Sequence, residues 1–139
     1  MKMKNPGIRR AATIAGIMTL ACGISPAYAE GSRTTYISYW STGGESSRWH
    51  DGNTDSAQTA VRFNNCSVPS SPGTGASASV QVWKNVDFAP DTNLGGKQVC
   101  GTTQYWGDVS AGDYYFRLDK INGTYYGFHL DSDPVWINY

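Results

Sequence analysis

Apolar and polar residues alternate at period two in several short runs, the spacing of strands that bury one face. In residues 80–83 the two valines point one way, while Gln81 and Trp83 point the other. Tyr114, Phe116 and Leu118 share one side of a second run, opposed by Tyr115, Arg117 and Asp119. The pattern returns in Val61 and Phe63, in Tyr126, Phe128 and Leu130, and in Val135, Ile137 and Tyr139, with residues 35–40 as a further candidate strand. Turn-forming residues separate the runs: Thr42-Gly43-Gly44, Asp51-Gly52-Asn53, Asn93-Leu94-Gly95-Gly96, Ala111-Gly112-Asp113 and Asn122-Gly123. Asn122-Gly123 accepts the positive φ angles of a tight turn, which predicts a hairpin between 114–121 and 125–130.

Helical spacing is scarce. Residues 45–49 and 56–60 are too short for a stable helix. Six or seven short strands with frequent turns predict an all-β fold, a small antiparallel β-sandwich or barrel. Residues 67–79, rich in Ser, Pro and Gly, read as a flexible loop, and the segments on either side are too small to carry separate cores. Residues 30–139 are therefore expected to form one domain.

The amino terminus is of a different kind. Lys2, Lys4, Arg9 and Arg10 precede an uncharged run of 14 residues at 11–24, and Ala27-Tyr28-Ala29 follows. A basic start, an apolar stretch and a small-residue exit make residues 1–29 a secretory signal peptide of bacterial style, so the mature protein is expected to be extracellular. The run is shorter than the roughly 20 residues that span a bilayer, and no other stretch is apolar enough, so no membrane span is expected. Thr19-Leu20-Ala21-Cys22 offers lipid anchoring through Cys22 as the minor alternative, but Thr19 stands where that pattern prefers Leu.

Loss of residues 1–29 alters the charge and cysteine count. The full chain has 11 basic and 11 acidic residues; four of the bases leave with the signal, so the remainder carries seven against eleven, a net −4. An acidic surface with scattered bases lacks the footprint that duplex nucleic acid requires. Cys66 and Cys100 remain as an even pair, expected to form a disulfide in an oxidising compartment.

Chemistry-bearing patterns are few. Asp51, Asn53 and Asp55 alternate as calcium ligands do, but the sixth and twelfth positions of that loop are Ser56 and Arg62, where a full calcium loop has Gly and Glu. An Asx-rich turn accounts for the same residues, and calcium remains the single candidate cofactor. Asp131 and Asp133 are placed in a turn before Val135. His50 and His129 are too isolated to define a zinc site. Ser110 lies one place late for a nucleophile elbow. No catalytic constellation stands out, which makes a small hydrolase the third-ranked reading.

Aromatic residues carry the remaining signal. Five Trp cannot all be buried in so small a domain, and Trp49, Tyr105 and Trp106, beside turns, are the expected binding residues. Trp83 and Trp136 run out of phase with their aliphatic neighbours and are expected on a second surface. The sequence thus predicts a secreted, non-enzymatic binding protein for an extracellular polysaccharide or a protein. A secreted antimicrobial protein or inhibitor of an extracellular enzyme is the alternative.

Overall fold

The computed structural model describes residues 30–139; the expected signal at 1–29, with Cys22, lies outside the described residues. The chain forms eight strands: β1 (Ser32–Trp40), β2 (Trp49–Asp51), β3 (Ala60–Phe63), β4 (Ala78–Lys84), β5 (Thr92–Gln98), β6 (Gln104–Tyr105), β7 (Gly112–Ile121) and β8 (Leu130–Asn138). They make two antiparallel four-stranded sheets, β1-β8-β3-β6 and β2-β7-β4-β5, packed as a small β-sandwich.

The period-two runs supply its core. Val61, Phe63, Val135, Ile137 and Leu130 from one sheet meet Val80, Val82, Phe116 and Leu118 from the other, each almost wholly buried. Phe63 and Phe116 touch edge to face across the sheets, with ring centroids 5.3 Å apart. Such a contact adds to the area the rings bury and fixes how the layers sit. The Cys66–Cys100 disulfide, with Cα atoms 5.9 Å apart, joins the chain after β3 to the chain after β5.

Several expectations need correction. Strands number eight because β2 and β6, of three and two residues, are too short to show periodicity. The supposed turn at 93–96 lies inside β5, an edge strand paired only to β4. Most of β5 is solvent-exposed, so no buried face imposed alternation on its sequence. Asp131 and Asp133 lie within β8 and not in a turn.

The Asn122-Gly123 turn forms, with φ of 50° and 78°, but its hairpin does not continue. Only a single bridge, Ile121 with Thr124, closes it. Both sides of β7 are already occupied, by β2 and by β4, so residues after the turn cross to the other sheet and enter β8 between β1 and β3. The 67–79 loop is tied at both ends. Ser67 and Asp131 exchange backbone hydrogen bonds of 2.9 Å, Val68 is buried in the core, and Ala78 and Ser79 already belong to β4. Among the described residues no helix is long and apolar enough to cross a membrane.

Candidate functional site

Because β8 returns beside β1, the end of β1 and the segment leading into β8 lie side by side. That places four exposed tyrosines on adjoining stretches of chain: Tyr36 and Tyr39 from β1, and Tyr125 and Tyr126 from the 122–129 crossover. Tyr39 is 61% exposed and Tyr126 83%. The Tyr39 ring lies on His129, with centroids 3.9 Å apart and planes within 9°. The hydroxyl of Thr42 donates to the Tyr125 carbonyl, tying the two stretches together.

Tyr39 adopts φ of 56°, a left-handed conformation that costs an ordinary side chain on the order of 1–2 kcal/mol. Among the described residues only Tyr39, Phe88 and three asparagines do this without being glycine. Asparagine tolerates the region readily; an aromatic residue needs its surroundings to hold it there. The Tyr39 N–H donates to Asp131 Oδ1 at 2.5 Å, so the β8 carboxylate holds the turned-out backbone. Below it, Tyr36, Ile37, Ser38, Asn65 and the 131–133 stretch line an open groove of about 300 Å³.

A second groove, about 280 Å³, opens on the outer face of the β2-β7-β4-β5 sheet. Thr42, Gly43, Gln81, Arg117, Asp119 and Tyr125 line it, so Thr42 and Tyr125 belong to both the groove and the aromatic end. Cross-strand pairing sets Gln81 beside Arg117 and Trp83 beside Tyr115. The side chains form a chain of donors and acceptors. Trp83 Nε1 donates to Gln81 Oε1 at 3.2 Å, and Gln81 Nε2 donates to Asp119 Oδ1 at 3.2 Å.

Further along the same face, the Tyr115 hydroxyl donates to Asp91 Oδ2 at 2.7 Å and the Arg48 guanidinium lies 3.9 Å above the Tyr115 ring. Burial, then the bond to Asp91, pushes the Tyr115 phenol up to about 12. The same hydrogen bond, with one from the Val86 N–H, lowers the Asp91 carboxyl below its ordinary value. Lys120 sits 4.7 Å from the Tyr125 ring centroid, and the Tyr125 hydroxyl raises its pKa.

A third feature is Phe88, fully exposed with φ of 60° in the turn between β4 and β5. The turn is pinned at its base: Val86 N–H donates to Asp91 Oδ1 at 3.0 Å and Asn85 N–H to the Asp113 carbonyl at 2.8 Å.

The residues expected from sequence fare differently. Trp49 is 3% exposed, so its expected role as an exposed platform is corrected. It lies in β2 opposite Tyr114, which turns its ring inward between Tyr114 and Tyr139, with centroids at 6.4 and 6.2 Å. Tyr105 is exposed on β6, on the far edge of its sheet from β1. Trp106 is half-buried and its Nε1 donates to the Gly95 carbonyl at 2.9 Å, covering part of the open edge of β5. Trp136 does face a second surface, 46% exposed beside Arg62.

Asp51 Oδ1 accepts the Asn53 N–H at 2.8 Å and Oδ2 accepts the Thr59 hydroxyl at 3.3 Å, while Asp55 Oδ1 accepts the Ala57 N–H at 2.6 Å. The first and last of these are the bonds of two Asx turns, and the Thr59 bond ties the first to the start of β3. Among the described residues no group of three or more His, Cys, Asp or Glu side chains is placed to hold a metal ion. His50 Nδ1 lies 2.7 Å from Asp113 Oδ1 on the exposed face, and Lys84 Nζ donates to Ser110 Oγ at 2.7 Å, but neither pair lines either groove.

Sequence reasoning missed Tyr36, Tyr39, Gln81 and Arg117 as members of a site. Period two marks the outward position of Gln81 and Arg117, yet nothing local signals that Thr42 and Tyr125 join them. No family model, no curated protein and no solved structure matches this chain.

Proposed function

We propose that this protein is an exported, non-enzymatic glycan-binding β-sandwich whose binding surface is the aromatic end formed by Tyr36, Tyr39, Tyr125, Tyr126 and His129, together with the two grooves it joins. The observation that carries this reading is Tyr39: an aromatic side chain held in a costly backbone conformation, on the surface, by a carboxylate from a different strand. Backbone strain of this kind gathers at functional positions. Tyrosine gives large, stiff, amphipathic contact area at low entropic cost, suited to the apolar face of a sugar ring. The fixed polar groups of both grooves supply the hydrogen bonds that orient such a ligand.

The full chain, expressed and processed, is incubated with a panel of insoluble and soluble polysaccharides, and retention is measured at micromolar protein. Retention that falls about tenfold in Tyr39→Ala and Tyr126→Ala, a change of about 1.4 kcal/mol in binding, supports the reading if the melting temperature is unchanged. Absence of retention on every polysaccharide, or equal retention by the variants, overturns it.

A secreted antagonist is the second reading, favoured by the Phe88 turn. Phe88 lies inside the loop closed by Cys66 and Cys100 and presents an apolar ring to solvent on a pinned base. Buried aromatic anchors of this type dominate protein interfaces. Inhibition of growth or of an extracellular enzyme that is lost in Phe88→Asp, with glycan retention unaltered, would favour this reading over the first.

A further inference from the structure

We infer that the groove beside Tyr125 receives the carboxylate of an acidic sugar, with Arg117 as the group that binds it; this rests on the glycan reading above. The outer face around β7 carries four acids and each has a partner. Asp113 meets His50 at 2.7 Å, Glu45 meets Arg48 at 3.3 Å, Asp91 accepts the Tyr115 hydroxyl at 2.7 Å, and Asp119 accepts Gln81 Nε2 at 3.2 Å. The Arg117 guanidinium has no hydrogen bond or ion pair among the described residues, although two carboxylates flank it. Glu45 is bridged to it across the strands, and Asp119 lies two residues further along β7. Both point to other partners.

An arginine fork left open in a groove is suited to a planar two-oxygen acceptor, which it binds through paired N–H bonds. Gly43 lines the same groove, where a Cβ would sit at ordinary contact distance, 3.7 Å, from Arg117 Nη2, and its φ of 89° disfavours any side chain. Gly43 is fixed by its N–H bond of 2.7 Å to the Leu118 carbonyl. Lys120, over the Tyr125 ring, adds a second positive charge at the rim. A sugar ring against Tyr125 thus has Lys120 next to it and the open Arg117 fork within the same groove, where the Asp119 carboxylate on the wall is turned to Gln81.

Overall charge selects the kind of anion. Residues 30–139 carry a net −4, so a dense polyanion would be repelled along most of its length while gaining one contact at Arg117. A sugar polymer bearing isolated carboxylates avoids that cost. The ligand class is therefore a uronic-acid-type glycan and not a phosphate polymer.

The test uses the processed full chain and calorimetric titration with a xylo-oligosaccharide bearing a single glucuronic acid, the same xylo-oligosaccharide without it, poly(glycerol phosphate) and poly-glutamate. The expected result is that the glucuronate-bearing sugar binds at least about tenfold more tightly than the neutral sugar. Arg117→Gln erases that preference, so that acidic and neutral sugars bind it alike, with the melting temperature intact, and Lys97→Gln, a cation outside the groove, leaves the preference in place. Equal binding of acidic and neutral sugars by the native protein, or a preference that survives Arg117→Gln, overturns the assignment while leaving the glycan reading standing. Tighter binding of poly(glycerol phosphate) or poly-glutamate through Arg117 also overturns it. Silence toward both sugars overturns the assignment and the glycan reading together.

Discussion

Removing the disulfide by Cys66→Ala with Cys100→Ala tests how this small sandwich reaches adequate stability. The bridge closes a sequence separation of 34 residues. The chain-entropy relation then assigns it about 3.5–4 kcal/mol, acting on the unfolded chain. The folded chain has other ties at the same place. Phe63 N–H donates to the Val99 carbonyl at 2.9 Å and Gly101 N–H to the Phe63 carbonyl at 2.8 Å, on either side of Cys100, and Val99 is wholly buried. The native layers are therefore expected to stay together without the sulfurs. Urea unfolding should show a loss of about 3.5–4 kcal/mol with a slope that rises, because the freed unfolded chain exposes more surface. Against a total of about 5–15 kcal/mol, the variant is folded but marginal, with a melting temperature lower by on the order of 15 °C. Two results would refute the reasoning. A loss under about 1 kcal/mol would mean the bridge scarcely restrains the unfolded chain, and loss of the near-ultraviolet dichroism of the folded form would mean it holds native packing instead.

Three further outcomes are expected. Trp49→Ala should cost about 3–5 kcal/mol in urea unfolding, as for other buried aromatics, because it empties the space between Tyr114 and Tyr139. Trp49→Phe should cost clearly less, since the buried Nε1 has no hydrogen-bond partner to lose. In an absorbance titration one phenol should ionise only at about pH 12, the late step should vanish in Tyr115→Phe, and all phenols titrating together near 10 would refute it. Since the folded pKa exceeds the unfolded value of 10, the Tyr115 contribution to stability is complete below pH 10 and lost as pH rises toward 12. Asp91 acts in the opposite sense: its lowered pKa makes its contribution complete above 3.8 and lost as pH falls below the folded value. Calcium should leave the melting temperature where chelator leaves it, because Asp51 Oδ1 and Asp55 Oδ1 accept N–H groups of their own turns and, among the described residues, no group of three His, Cys, Asp or Glu side chains gathers there; a rise that tracks the logarithm of calcium concentration would restore the loop as a cation site.

The candidate site was only half legible in the sequence. Period two put Gln81 and Arg117 on an outward face, because neighbours on a strand must alternate whatever the strand pairs with. It said nothing of the end of β1, with Tyr36 and Tyr39, adjoining the stretch that carries Tyr125, Tyr126 and His129, since these lie side by side only when residues after Asn122-Gly123 find β7 full and cross to β8. Trp49 misled for a related reason. Proximity to turn residues marks a chain reversal, but which side of the strand lies inward depends on pairing with Tyr114, 65 residues away.

By itself, then, the amino-acid sequence determined the all-β class, the Cys66–Cys100 pair, and the core positions Val61, Phe63, Val80, Val82, Phe116, Leu118, Val135 and Ile137, all of which are buried. These follow from local alternation and from the cysteine count, which read the same in any strand arrangement. Only the tertiary structure decided that β5 is an edge strand, that β8 lies between β1 and β3, and that Arg117 faces a groove with its neighbouring carboxylates committed elsewhere. Those facts rest on hydrogen bonds and packing between residues far apart in the chain, where each strand's choice depends on which edges the others have left free.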